Sequence, residues 1–353
     1  MPNIALINEL KERFPDPSQL QILYIGTRGG MERDLVSPLG VRYKGIFAGK
    51  LRRYFSWWNL IDFFKLPAGI LQSAIALARF RPKVIFCKGG YVCFPVAVAG
   101  WMLRIPVILH ESDVVPGLAN SLSARFASKI CISFEETRQF LPARRIVFTG
   151  NPVRRELVYG SSEHGREFTA LTENLPVLLI MGGSQGADFI NGIVRDNLDR
   201  LLSDYQVIHI CGENNVIGAC ELVKRLPEAN KRHLSRYRAF SFVGREMKDL
   251  YAFADLIVCR AGAITLAEIG FFGKPAILIP LSTRVSRGDQ IDNARVFAKE
   301  HAAKVIEEDE FGVDDFFGAI AKLLTGAQRP PDRNQPQRSF DANEKIIDLL
   351  VKA

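Results

Sequence analysis

LPVLLIMGGSQGADFINGIV, residues 175–194, decides the fold. Val177 to Met181 is an unbroken apolar run of strand length. A loop follows, Gly182-Gly183-Ser184-Gln185-Gly186, and a helix is expected from Ala187 onward. An apolar strand without alternation is one buried on both faces, which means a parallel sheet covered by helices. Later strands are expected at Tyr205 to Ile210, Leu256 to Cys259 and Ala276 to Ile279. The pattern is strand, glycine turn, helix, repeated, with ligands at the carboxyl ends of the strands.

The same rhythm precedes this stretch. Strands are expected at Gln21 to Ile25, Val41 to Phe47, Val84 to Cys87, Pro106 to Leu109 and Lys129 to Ser133. Helices are expected over the opening residues Pro2 to Phe14, from Pro95 onward, and over Gly117 to Phe126. The rhythm breaks near Thr149-Gly150-Asn151-Pro152 and restarts at Val177. The expected architecture is therefore α/β, with two similar domains of doubly wound, Rossmann-like type facing a cleft. The boundaries are 1–153 and 154–339, with a last helix over 340–353 returning to the first domain.

Composition narrows the function classes. The chain has 353 residues and a formal charge of +8, which favours anionic partners. Its six cysteines include no CxxC pair and read as reduced core thiols, with no zinc site. No stretch approaches the apolar length of a membrane span. Arg52 and Arg53 stand beside Trp57, Trp58, Phe63 and Phe64. Aromatic rings next to cations suit the bilayer interface; the alternative is core rings with cations at their edge.

Several loops carry candidate chemistry. Glycines and a free helix start after Met181 could make an anion cradle with Ser184, but the loop lacks the G-x-G-x-x-G and P-loop patterns and by itself reads more naturally as the glycine turn of any doubly wound domain. In DLIVCRAGAITLAEIGFFGKPAILIP a strand ends at Arg260, a helix begins near Ile264-Thr265, and Glu268 is expected in its first turn. A carboxylate there can accept two vicinal hydroxyls, as in a ribose, or simply cap the helix. Asp289, Gln290 and Asn293 sit at another loop–helix junction and could read sugar hydroxyls, or Asp289 simply caps the helix with solvated neighbours. Lys88-Gly89-Gly90-Tyr91 is a second possible anion loop. His110 and Glu111 end a strand, with His110 a weak candidate base and more naturally structural.

These stretches, in this order, resemble the MurG family, peripheral membrane glycosyltransferases of the GT-B fold. The anchors are KGGYVCFPVAVA, HESDVVPGLANSLSARFA, GNPVR, MGGSQGADFIN, CRAGAITLAEIGFFGKPAILIP and DQIDNA. The resemblance implies transfer of N-acetylglucosamine from UDP-N-acetylglucosamine to lipid I, forming lipid II, with inversion and without metal or other cofactor. Arg154, Gly183, Ser184 and Gln185 would approach the donor diphosphate, with Arg260 on the same side. Gly244 would meet the uracil by its backbone, Ile264 and Thr265 the phosphates, Glu268 the ribose, and Gln290 and Asn293 the sugar. Gly89, Gly90, Tyr91, His110, Glu111 and Asn120 would line the acceptor side. The aromatic and basic stretch would meet an anionic membrane at its cytoplasmic face, and no nucleic-acid partner is implied.

Two departures stand out. Many members carry His-Glu-Gln-Asn where this chain has His110-Glu111-Ser112-Asp113, and a Gln pair where it has Asp289-Gln290. Members also open with a strand and a Gly-rich loop whose histidine is the usual general base. Here Met1-Pro2 falls within the helix that follows, so that histidine is expected upstream of Met1. Met1 would be an internal methionine, or the first segment lost. Alternatives are a transferase for another lipid acceptor, a UDP-sugar epimerase, or an inactive protein that binds UDP-sugar at the membrane.

Overall fold

The structure is a computed structural model. It describes all residues except 1, 17, 31, 50–56, 183–186, 216–232 and 327–336, and the side chains of 2, 57–64, 214 and 337–341. The chain divides into two compact units, Met1–Arg154 with Ser339–Ala353, and Arg155–Arg338.

The first unit holds two parallel sheets. One pairs β1 (Leu23–Thr27) with β2 (Arg42–Ile46). The other runs β3 (Ile85–Cys87), β4 (Val107–Glu111), β5 (Lys129–Ile132) and β6 (Ile146–Phe148) in that order. Strand alternation splits the second sheet into two apolar faces. Ile85, Cys87, Leu109, Ile130 and Ile132 join one core with Leu77, Val96, Ala97 and Ala99 of the helices Trp57–Phe80 and Cys93–Met102. Ile108 and Cys131 face the other way, onto Leu6 of the opening helix Pro2–Arg13 and Ile346 and Ile347 of the last helix, Gln337–Val351. The first and last helices thus cover one face of the same sheet. Asn343 of the last helix adds hydrogen bonds to Glu9 Oε2 at 2.8 Å and to the Val153 carbonyl at 2.9 Å.

The second unit is one six-stranded parallel sheet. Its strands are β7 (Val177–Met181), β8 (Gln206–Ile210), β9 (Tyr237–Phe240), β10 (Leu256–Cys259), β11 (Ala276–Leu278) and β12 (Ala303–Val305), in the order β12-β11-β10-β7-β8-β9. Every residue of β7, β8, β10 and β11 is buried. The helix Asp188–Asp204 buries Ile190, Ile193, Val194, Leu198, Leu201 and Leu202, a spacing that lays one apolar stripe on the sheet. The helix Ala263–Phe272 stops at Gly273, whose left-handed φ of 60° closes its last turn. Counted along the chain the strand order is 3-2-1-4-5-6, that of a doubly wound nucleotide-binding sheet. Its order reverses between β7 and β10, where Cys259 pairs with Met181.

The strands differ from the sequence expectation at the edges. β1 starts at Leu23 and ends at Thr27, two residues later than expected, and β6, β9 and β12 were not foreseen. The helix after the Lys88 loop begins at Cys93, so Pro95 sits inside its first turn, where a missing N–H costs nothing. The described cysteines are free thiols; Cys87, Cys131, Cys211 and Cys259 are buried and Cys93 partly so. Cys220 lies outside the described residues.

Candidate functional site

The switch point of the second sheet sets the first part of the site. The loops after β7 and β10 leave neighbouring strand ends, at Met181 and Cys259. Ligands of doubly wound sheets sit at this crevice. Gly183, Ser184 and Gln185, in the loop after β7, lie outside the described residues. After β10 the helix Ala263–Phe272 is N-capped by Gly262 without a side-chain cap. Its first-turn amides, including those of Ile264 and Thr265, have no partner within the helix and carry the positive end of its dipole. The first backward bond is Leu266 N–H to the Gly262 carbonyl, at 3.0 Å.

Glu268 corrects an expectation. It is the sixth residue of that helix, in the second turn, because the helix starts at Ala263. The dipole therefore contributes little to it. Its carboxylate is instead met by Tyr251, whose hydroxyl donates to Oε2 at 3.0 Å, both side chains being buried. Arg260 also differs from expectation, since both terminal nitrogens of its guanidinium bond internally. Nη2 pairs with Glu308 Oε1 at 2.5 Å, and Nη1 donates to the Ile279 and Pro280 carbonyls at 3.1 and 3.2 Å. Arg260 clamps the strand end through these two nitrogens, and its buried Nε has no partner among the described residues. Gln290 and Asn293 lie on the helix Asp289–Glu300. Gln290 Oε1 accepts from the Leu281 N–H at 3.2 Å, and Asn293 is fully buried. Gly244 is half-buried after β9. Arg154 is half-buried at the last position of the first unit's leading segment.

In the first unit the strand ends of β3 and β4 gather Gly89, Gly90, Tyr91, His110, Glu111 and Asn120. Gly89 has φ +108°, and a Cβ there would sit 2.9 Å from Asn120 Nδ2. Glycine is needed at that position for both backbone and space. Glu111 is buried and builds its own loop. Oε1 accepts from the Ser112 and Asp113 amides at 2.8 and 3.0 Å, and Oε2 from Asn120 Nδ2 at 2.7 Å and the Gly117 amide at 3.3 Å. Burial raises its pKa against those donors. Asn120 Oδ1 is buried without a partner among the described residues, beside the Gly89 turn.

His110 is fully buried, and both ring nitrogens are engaged. Nε2 donates to the Gly150 carbonyl at 3.0 Å, so Nδ1 carries the lone pair and accepts from Lys88 Nζ at 2.7 Å. Burial, with the Lys88 cation beside it, holds the imidazole well below its ordinary pKa. A neutral ring so enclosed matches the structural reading of His110. Lys88 likewise turns inward. It also donates to Ser112 Oγ and to Asn151 Oδ1, the latter at 3.3 Å. In the possible anion loop Lys88-Gly89-Gly90-Tyr91 this amine therefore faces inward, tying the ends of β3 and β4 to the segment after β6.

Of the expected membrane patch, Arg52 and Arg53 lie outside the described residues. Trp57, Trp58, Phe63 and Phe64 lie on the helix Trp57–Phe80, with side chains outside the description. A patch that the sequence did not single out stands at the end of the helix Cys93–Met102. Trp101, Met102 and Leu103 are exposed there, with Arg104. Leu71 and Ile75, one turn apart on the helix packed alongside, are exposed too.

Comparison with known proteins fits this geometry. Residues 1–132 match the glycosyltransferase family 28 N-terminal domain, and residues 177–350 its C-terminal domain. The chain belongs to glycosyltransferase family 28. It is a hexosyltransferase, and the resemblance to MurG read from the motifs holds along its length. A relative from Bacillus cereus is 40% identical, covering 100% of this chain and 96% of its own. One from Legionella pneumophila is 38% identical, covering 99% and 92%. Both are named UDP-N-acetylglucosamine–N-acetylmuramyl-(pentapeptide) pyrophosphoryl-undecaprenol N-acetylglucosamine transferase, the first with the suffix 2. Among solved structures, MurG of Acinetobacter baumannii superposes with TM-score 0.73 at 24% identity, covering 100% of this chain and 95% of that one. The UDP-GlcNAc 2-epimerase of Neisseria meningitidis gives 0.66 at 13%, covering 99% and 95%. These two show the fold, of GT-B class.

Proposed function

We propose that this chain moves N-acetylglucosamine from UDP-N-acetylglucosamine to lipid I, giving lipid II, with inversion and without a metal. The observation that carries the reading is the switch point of the second unit, where a helix start without a side-chain cap at Gly262 is followed, in the helix's second turn, by the buried carboxylate of Glu268. That pairing suits a diphosphate next to a ribose. The names of the relatives supply the sugar and the acceptor.

In the proposed reaction the acceptor hydroxyl oxygen bonds to the anomeric carbon. The bond from that carbon to the diphosphate oxygen breaks, and UDP leaves with the electron pair. The amides of Ile264 and Thr265, with Ser184 and Arg154, stabilise the charge that develops on the diphosphate. Glu268 accepts the ribose hydroxyls, the backbone near Gly244 meets the uracil, and Gln290 and Asn293 belong to the sugar side. Gly89, Gly90, Tyr91 and Asn120 belong to the acceptor side, where Asn120 Oδ1 has acceptor capacity to offer. The proton of the attacking hydroxyl goes to a general base other than His110.

The test is transfer of labelled sugar from UDP-N-acetylglucosamine to a lipid I analogue, with and without a chelator. Lipid II formed at an undiminished rate in chelator is the expected result. UDP-sugar epimerised in the absence of acceptor, or bound without turnover, would replace this reading with one of its alternatives.

The first unit is proposed to rest on an anionic membrane surface as a peripheral protein. Trp101, Met102 and Leu103 are apolar and exposed, and Arg79, Arg81 and Arg104 stand exposed on the same two helix ends. Rings and aliphatic chains enter the head-group layer while the cations meet lipid phosphates. No helix among the described residues is long and apolar enough to cross a membrane. Replacing Trp101 and Met102 together by serine is expected to lower partition onto phosphatidylglycerol vesicles by about tenfold or more. Co-sedimentation at the wild-type level would remove this patch from the proposal.

A further inference from the structure

Tyr251 has no place in the roles assigned above, yet it links three pieces of the switch point. It lies on the helix Met247–Phe253, just before β10, and is 1% exposed. Its hydroxyl donates to Glu268 Oε2 at 3.0 Å and stands 4.0 Å from the sulfur of Met181, the last residue of β7. Its ring stacks on Phe272 of the helix after β10, with centroids 5.4 Å apart and planes at 26°. The phenol is fixed by packing, so the hydroxyl has one direction. A carboxylate that accepts from such a donor has one oxygen pinned.

We propose that Tyr251 is a positioning residue for the ribose contact of the donor nucleotide. It holds Glu268 in the orientation in which that carboxylate accepts the two vicinal hydroxyls. The inference rests on the donor-site reading given under Proposed function. The physical gain is pre-organisation: a carboxylate already oriented does not lose rotamer freedom when nucleotide binds. The competing account is that the bond merely satisfies a buried phenol.

Tyr251→Phe separates the two, because it keeps the ring and its stack and removes one hydroxyl. The probes are UDP and 2′,3′-dideoxy-UDP, measured by calorimetry on the full chain. Tyr251→Phe is expected to weaken UDP by about tenfold and the dideoxy nucleotide by less than about twofold. KM for UDP-N-acetylglucosamine should rise in parallel while kcat holds. In a Glu268→Gln background, Tyr251→Phe should add nothing to the loss of UDP affinity, since the two residues act as one unit. Equal weakening of both nucleotides, no weakening of either, or an additive effect in that background would overturn the inference. Wild-type protein that fails to bind UDP would bring down the donor-site reading itself, and this inference with it. That failure is distinguishable because it appears before any substitution is made.

Discussion

Replacing Arg260 by methionine lowers the stability of the chain by about 3–5 kcal/mol. The guanidinium and the Glu308 carboxylate are only 12% and 14% exposed. Methionine has similar length and fills the space, but it strands the carboxylate. Glu308 Oε2 still accepts from the Ser282 amide at 3.1 Å, one neutral donor for a full charge. The Ile279 and Pro280 carbonyls lose their donor as well. An exposed ion pair would cost below about 1 kcal/mol on removal. Replacing both partners, Arg260→Met with Glu308→Met, is expected to recover the part of the loss that comes from the stranded charge, because an apolar pair of like volume has no charge to desolvate, while the Ile279 and Pro280 carbonyls stay unmet. The same bonds anchor the chain between β11 and the helix Asp289–Glu300. The single variant should therefore also raise KM for the donor through displacement of Gln290. Urea denaturation of both variants reads the first effect, and steady-state kinetics the second. A single-variant loss under about 1 kcal/mol would show that solvent screens the pair.

The buried strands were legible because parallel strands covered on both faces read as apolar runs. Val177 to Met181 and Leu256 to Cys259 were placed to the residue. The strands that escaped, Ile146–Phe148, Tyr237–Phe240 and Ala303–Val305, are three or four residues long, lie at or beside the sheet margins, and carry arginine or lysine in two cases. Their strand character comes from pairing with a neighbour, which composition does not record. The site divides in the same way. Glycine turns after strands show in the sequence, since only backbone freedom is at stake. Side-chain direction does not. Lys88 and Arg260 both read as cations at strand ends, and both turn inward to acceptors contributed by distant segments. Glu268 was identified as a carboxylate by the helix start, but its partner Tyr251 stands 17 residues earlier on another helix. Trp101 was read as part of a helical run; its exposure depends on what packs beside that helix.

Lys88→Met is expected to cost more stability as pH rises, the reverse of an ordinary surface ion pair. Desolvation pulls the Lys88 ammonium from 10.5 down to about 7, against the opposing pull of the Glu111 and Asp113 carboxylates. The sign follows from proton counting. Between about pH 7 and 10.5 the unfolded chain keeps this proton and the folded chain releases it. The unfolded state then binds more protons, so wild-type stability rises with pH across that window. As pH falls from 10.5 through 7 the folded chain loses up to about 4 kcal/mol of this contribution. The neutral amine suits its site. It has two hydrogens for His110 Nδ1 and Asn151 Oδ1, and a lone pair that can accept from the Ser112 hydroxyl. Methionine offers none of these, so the variant leaves buried acceptors unmet at every pH, at about 1–3 kcal/mol for each such group. Wild type additionally loses its own advantage toward neutral pH, and the gap between the two proteins should therefore narrow there. Urea titrations of both proteins at about pH 7, 8.5 and 10 read that gap, and titrating groups that do not face Lys88 cancel in the difference. A gap that is flat with pH would mean that Lys88 keeps its proton in the fold. The three acceptors around it would then be holding a permanent cation against the neutral ring of His110.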